Sequence, residues 1–176
     1  SDAIPTTAPL TIIGSIAVDV TLSPQSSSPL HTTARGSVQI SLGGVAANVA
    51  TAAYAVGVND VLLVAPISSD LFGSVVRSGL ETRGLRSDGL VTKGDERTAT
   101  CGLLLDENSS LIGGVADMSI ALTLTGEEVI EKIEGSQSGL VAFDGNLAPQ
   151  TMATLITHCR SRSISTFFEP TSNINS

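Results

Sequence analysis

Aromatic side chains are scarce. Tryptophan is absent, and one tyrosine with four phenylalanines make up 3% of the 176 residues. A core made from this sequence is built instead from valine, isoleucine, leucine and alanine. Basic residues are also few: Lys plus Arg is 9 against 17 Asp plus Glu, a formal net charge of −8. No basic field exists to gather a phosphate backbone, which argues against nucleic acid as a partner. The two cysteines, Cys101 and Cys159, are too few for a disulfide scaffold, and neither stands in CxxC or metal-finger spacing. They read as reduced, buried small hydrophobes in a reducing compartment. No apolar run approaches the roughly 18 residues that cross a membrane. The opening Ser1-Asp2-Ala3 has neither the basic nor the apolar region of a signal peptide. These absences set the expectation of a cytoplasmic protein with no membrane and no nucleic-acid partner.

What is present is aliphatic. Hydrophobic residues are 41% and charged ones 15%, which excludes a disordered chain. Short apolar runs at Leu10–Val18, Val61–Ile67, Leu140–Phe143 and Ile164–Phe168 read as buried strands. Helices are expected over Val45–Val56, Phe72–Thr82, Gly126–Glu134 and Pro149–Arg160. In the first, Val45, Val49, Ala52, Ala53 and Val56 form an apolar stripe whose small side chains permit close packing on a sheet. Strands separated by helices predict βαβ units, hence an α/β fold with a mainly parallel sheet flanked by helices. Val38–Leu42 and a hairpin of Thr98–Leu105 with Leu111–Ala116 do not fit that rhythm and read as a small antiparallel β flap. Thr21–Gly36 reads as loop with scope for short strands. The whole is expected to be one domain, residues 1–176, with flap segments near 20–42 and 97–117.

In a parallel sheet, ligands bind beyond the carboxyl ends of the strands. Asp19, Asp70, Asp144 with Asn146, and Glu169 each fall just past an expected strand. Any one of them alone reads equally as a cap or turn residue. Gly43-Gly44 opens a helix with Asn48 one turn in. Such a start exposes backbone amides and offers an amide side chain to a hydroxyl-rich ligand. The glycines are not in GxGxxG spacing, no Walker A lysine follows, and no GxSxG is present. A dinucleotide-dependent oxidoreductase is therefore disfavoured. His31 and His158 have no partner suggesting a catalytic triad.

Gly14 then Asp19, Gly43-Gly44…Asn48, Asp70 and Gly73, and the Arg97–Asp117 hairpin occur in that order. Together they resemble the amino-terminal part of the PfkB (ribokinase-like) family of carbohydrate and nucleoside kinases, over about Leu10–Ser172. The runs RTATCGLLLDENSSL, VADMSI, DGNL and FEPTS look most like its pseudouridine kinases. The resemblance implies that Asp19, Gly43, Gly44 and Asn48 hold sugar hydroxyls and that Asn146 also reaches the sugar. It implies that Thr98, Thr100 and Asp117, with Met118, lie on a flap that closes over substrate and often forms a dimer contact.

The family's GAGD-type and NxxE segments, which hold the catalytic base, the anion hole and magnesium, are not found before Ser176. ATP and magnesium are therefore expected for a full-length parent and not for this chain alone. The expectation is the substrate half of a kinase that phosphorylates a primary hydroxyl, with the pseudouridine 5′-OH the first candidate. That half, truncated before the ATP-binding part, is expected to be inactive by itself. The competing reading is a non-catalytic module that oligomerises or binds a nucleoside. An exposed sheet edge and the flap predict a homo-oligomer.

Overall fold

The computed structural model describes residues 10–26 and 32–171. Its elements in chain order are strands β1 (Leu10–Ile13), β2 (Ala17–Pro24) and β3 (Gly36–Gly43), helix α1 (Val45–Ala55), strands β4 (Val61–Val64) and β5 (Pro66–Ile67), and helix α2 (Leu71–Thr82). Strands β6 (Val91–Thr92), β7 (Thr100–Leu105) and β8 (Leu111–Asp117) follow. A 3-10 turn (Ser119–Thr123), α3 (Gly126–Ser136), β9 (Leu140–Asp144), α4 (Pro149–Ser161) and β10 (Ser165–Glu169) complete it.

The central sheet is parallel, in the order β10-β9-β1-β4. Its inner strands are apolar at every position or nearly so because both faces are covered. Successive residues alternate between two cores. Ile12, Leu63 and Ala142 face α1 and α2, meeting Ala46, Ala50, Val76 and Leu80. Ile13, Val64 and Phe143 face α3 and α4, meeting Val129, Ile133, Leu155 and Cys159. Strand β1 has β4 on one side and β9 on the other, so the order of connections reverses at β1. The carboxyl ends of β1 and β9 therefore flank a topological switch point, where such sheets place their ligands.

The flap is a second sheet, order β3-β2-β7-β8. It is mixed: β2 pairs β3 antiparallel and β7 parallel, and β7 pairs β8 antiparallel. The hairpin turn is held by Asp106, whose Oδ1 accepts from the amides of Asn108 and Ser110, both at 2.8 Å.

Three expectations are corrected and a fourth is sharpened. The run Leu10–Val18 is two strands in two sheets, broken at Gly14–Ile16. A Cβ on Gly14 would lie 2.3 Å from Asp144 Cγ, so the chain turns there around a carboxylate. The segment Thr21–Gly36 is strand at both ends, since β2 runs to Pro24 and β3 starts at Gly36; residues 27–31, including His31, lie outside the described residues. Along α1 the buried residues are Ala46, Ala47 and Ala50, whereas Val56 is 83% exposed. The alanine-lined face is real but rotated from the expected stripe. Finally, β10 is an exposed edge rather than a buried strand, with Phe167 57% accessible.

Candidate sugar-binding rim

Gly44 is the N-cap residue of α1 and sits over the Ser15–Ile16 backbone at the end of β1. Three peptide amides of the first turn are already committed. Val45 donates to Ser15 Oγ at 3.0 Å, Ala46 to Asp144 Oδ2 at 3.1 Å and Ala47 to the Ser15 carbonyl at 3.2 Å. A ligand at this helix start therefore has the Gly43-Gly44 backbone to approach, and the cradle is narrower than the sequence suggested.

Asp19 is brought directly to it. Strand pairing sets Ala17 opposite Gly43 and Asp19 opposite Ser41 and Cys101. A Cβ on Gly43 would meet Asp19 Oδ2 at 2.2 Å, so the carboxylate lies against the bare Gly43 Cα, a position no other residue leaves free. Desolvation pushes the Asp19 pKa above its ordinary 3.8. Beside it, desolvation first and the Asp19 charge second raise the Cys101 thiol above its ordinary 9.0, so this sulfur is a poor thiolate.

From the other strand end comes Asn146. Its Nδ2 donates to Ser15 Oγ at 3.2 Å, and its backbone amide donates to Asp144 Oδ1 at 2.9 Å. Asp19, Gly43, Gly44 and Asn146 thus form one rim, continuous through Ser15. Ser15 is the residue that the sequence reading did not place in it, and Asp144, expected at this strand end, lies beneath the rim as its support. Asn48 shares the first turn of α1, but its side chain is exposed. Asp19, Gly44 and Asn146 are half-buried, so the rim faces solvent. Clefts of about 550 Å³ between β3 and α2, and about 390 Å³ between α3 and α4, lie elsewhere and do not join Asp19 to Asn48.

The flap residues divide. Thr98 is 2% exposed and its hydroxyl is used inside the protein, donating to Asp70 Oδ1 at 2.6 Å and accepting from the Ser68 amide at 2.9 Å. Asp70 also accepts from the amides of Thr98 and Gly73, at 2.9 and 2.7 Å, so it caps α2 and ties down the root of the flap. Burial opposes its ionisation, but the hydrogen bonds from Thr98 and Gly73 outweigh that and hold its pKa below 3.8. Thr100 faces Asp117 across the β7–β8 ladder, and its hydroxyl donates to the Thr98 carbonyl at 3.0 Å. Asp117 is bound to Arg97 at 3.1 Å and to Ser119 Oγ at 2.7 Å; the hydroxyl of Ser119 comes first in holding its pKa below 3.8. These side chains secure the flap's base, whereas Asp19, Ser41 and Cys101 share its other face.

His158 belongs to the α3–α4 contact, with Nε2 3.9 Å from Glu134 Oε1. Glu169 closes β10, and its carbonyl accepts from the Gly145 amide at 3.0 Å. Among the described residues no three His, Cys, Asp or Glu side chains gather as a cation site. No helix among them is long and apolar enough to cross a membrane. Cys101 and Cys159 are both free thiols.

Comparison with known proteins bears on the family and the fold. The chain is 27% identical over 163 residues to a pseudouridine kinase of Arabidopsis thaliana, covering 92% of this chain and 42% of that protein. It is 27% identical over 164 residues to a ribokinase of Bacillus subtilis, covering 90% of this chain and 54% of that protein. It therefore spans about half the length of these curated relatives. Its fold matches a carbohydrate kinase from Agrobacterium tumefaciens with a TM-score of 0.84 at 21% identity, over 92% of this chain and 53% of that one. The profile described as pfkB family carbohydrate kinase matches residues 8–173, nearly the whole sequence. With the switch-point sheet, the flap and the Gly-Gly helix start in that order, the chain belongs to the pfkB family of carbohydrate kinases.

Proposed function

We propose that this chain carries the substrate half-site of an ATP-dependent kinase acting on a sugar or nucleoside. The observation that supports it is the Asp19 carboxylate seated on Gly43 at the switch point. A carboxylate accepts from two vicinal hydroxyls at once, and charge-assisted bonds of this type are the strong ones. Asp19 is half-buried against Gly43, so a ribose diol takes the place of the water its carboxylate holds. Asn146 and the Gly44 backbone complete the grip from the sheet side, and the flap strands β2, β3 and β7 close the other. Pseudouridine is the preferred substrate, on the likeness to the Arabidopsis kinase, and its 5′-OH is the acceptor. ATP and magnesium belong to the phosphoryl-transfer segments of the family, which these residues do not supply. The chain by itself binds without turning over ATP.

The flap also carries an outward apolar face. Val38, Ile40, Leu104 and Val115 all lie on the side opposite Asp19 and are exposed, Val115 at 79%. This surface is proposed to be covered by a second copy of the chain. Thermal shifts with pseudouridine, uridine, ribose and ATP–Mg test the half-site: stabilisation by a nucleoside or ribose and none by ATP is expected. No response to any sugar overturns the reading in favour of a structural module. Light scattering at micromolar concentration tests the second copy. Val115→Arg is expected to convert dimer to monomer, and a wild-type monomer refutes it.

A further inference from the structure

Asp144 is 1% exposed and accepts four hydrogen bonds. Its Oδ2 takes the Ser15 amide and the Ser15 hydroxyl at 2.8 Å each, and the Ala46 amide at 3.1 Å. Its Oδ1 takes the Asn146 amide. One carboxylate therefore joins the ends of β1 and β9 to the start of α1, where the helix dipole favours negative charge.

The chain of donors has a direction. A hydroxyl has one hydrogen and two lone pairs. The single hydrogen of Ser15 is drawn to Asp144, so Ser15 Oγ is left only to accept, from the Val45 amide and from Asn146 Nδ2. Asn146 must then turn its amino group inward, and its carbonyl oxygen is the end left free, with no donor among the described residues.

We infer that Asp144 is the positioning residue of the sugar rim: it fixes the α1 start beside Gly44 and, through Ser15, turns the Asn146 carbonyl oxygen toward a ligand hydroxyl. This rests on the half-site reading above. It makes the rim selective for a ligand group that donates a hydrogen bond, a hydroxyl rather than a methoxy group or a bare carbon. No contact between Asp144 and the ligand is required.

The test compares wild type, Asp19→Ala, Asp144→Asn and Ser15→Ala, with calorimetric binding of ribose and of deoxyribose, thermal melting, and amide hydrogen exchange at Ala46. Ser15→Ala keeps three backbone bonds to Asp144 and is expected to melt within a few degrees of wild type. Both Asp144→Asn and Ser15→Ala are expected to weaken ribose binding about fivefold or more and to shrink the preference for ribose over deoxyribose. Asp144→Asn is also expected to speed exchange at Ala46. If wild type binds ribose and Asp19→Ala binds it about tenfold or more weakly, but Asp144→Asn and Ser15→Ala bind and discriminate as wild type, the inference is overturned and the half-site stands. Lower melting with unchanged affinity also overturns it, leaving a purely structural aspartate. If wild type binds neither sugar, the half-site reading fails and this inference fails with it.

Discussion

Replacing Gly43 with alanine strikes the rim at its tightest point. The new Cβ would stand 2.2 Å from Asp19 Oδ2 and 2.7 Å from its Cγ, where ordinary contact begins at 3.4 Å. The carboxylate must retreat by about 1 Å, which amounts to a rotamer change on a half-exposed strand. Such a change costs about 0.5–1.5 kcal/mol, a fall in Tm of about 1–6 °C for a domain of this size. Binding suffers far more. A hydrogen bond to a charged group contributes about 1.5–3 kcal/mol, so its loss raises Kd about 10- to 150-fold. Calorimetry with pseudouridine and ribose measures this directly, and a double-mutant cycle isolates the cause. In an Asp19→Ala background the added methyl has no carboxylate to displace, so Gly43→Ala is expected to change Kd less than about twofold. Unchanged affinity in Gly43→Ala alone, or effects that multiply in the double mutant, would refute the placement of Asp19 on Gly43.

Other perturbations separate the roles of the three aspartates. Asp70→Ala removes the α2 cap and strands the Thr98 amide and hydroxyl; a loss of about 2–4 kcal/mol is expected by urea denaturation, and a loss under 1 kcal/mol contradicts the anchor. Gly14→Ala drives a methyl into the Asp144 carboxyl group. It is expected to cost about 3–6 kcal/mol, two charged hydrogen bonds' worth, and markedly less in an Asp144→Ala background. Because desolvation raises the Asp19 pKa above 3.8, folding is favoured by its protonated form, and that advantage is lost as pH rises through the raised value. Asp19→Asn is therefore expected to stabilise the chain at pH 7 and to make no difference below pH 3.8; an equal gain at both would show that the charge is not the cause. Asp70 runs the other way: its contribution is full above 3.8 and fades as pH falls through its depressed value, so Asp70→Asn is expected to destabilise most at neutral pH.

What the sequence made legible is whatever local chemistry decides. Gly57 follows α1, Pro149 opens α4 and Asp106 closes the hairpin, and each element lies where those residues put it. Asp70 as the cap of its own helix is a contact three residues long and readable in the same way. Asp144 is not: the helix it caps begins 99 residues earlier, and only the folded sheet brings them together. The same distant carboxylate breaks the apolar run at Gly14, which on periodicity alone is continuous. The length of β2 was hidden because Thr21–Pro24 owes its extension to pairing with β3 and β7, not to its own composition. The exposed β10 was read as buried because Phe167 and Phe168 look like core residues wherever they stand. The alanine stripe of α1 was right in kind and rotated in register, since Val56 is already past the last turn.

The position of β1 between β4 and β9 bears on how the chain comes to be made. Its β9 neighbour is encoded about 130 residues later. At a synthesis rate of about 5–20 residues per second, roughly 6–26 s pass between the two leaving the ribosome. Once β4 has emerged, β1 has it on one flank and nothing on the other until β9 arrives, an open apolar edge during translation. Birth order and assembly order are thus opposed in this architecture, and the sheet is completed around a strand made well before its second neighbour.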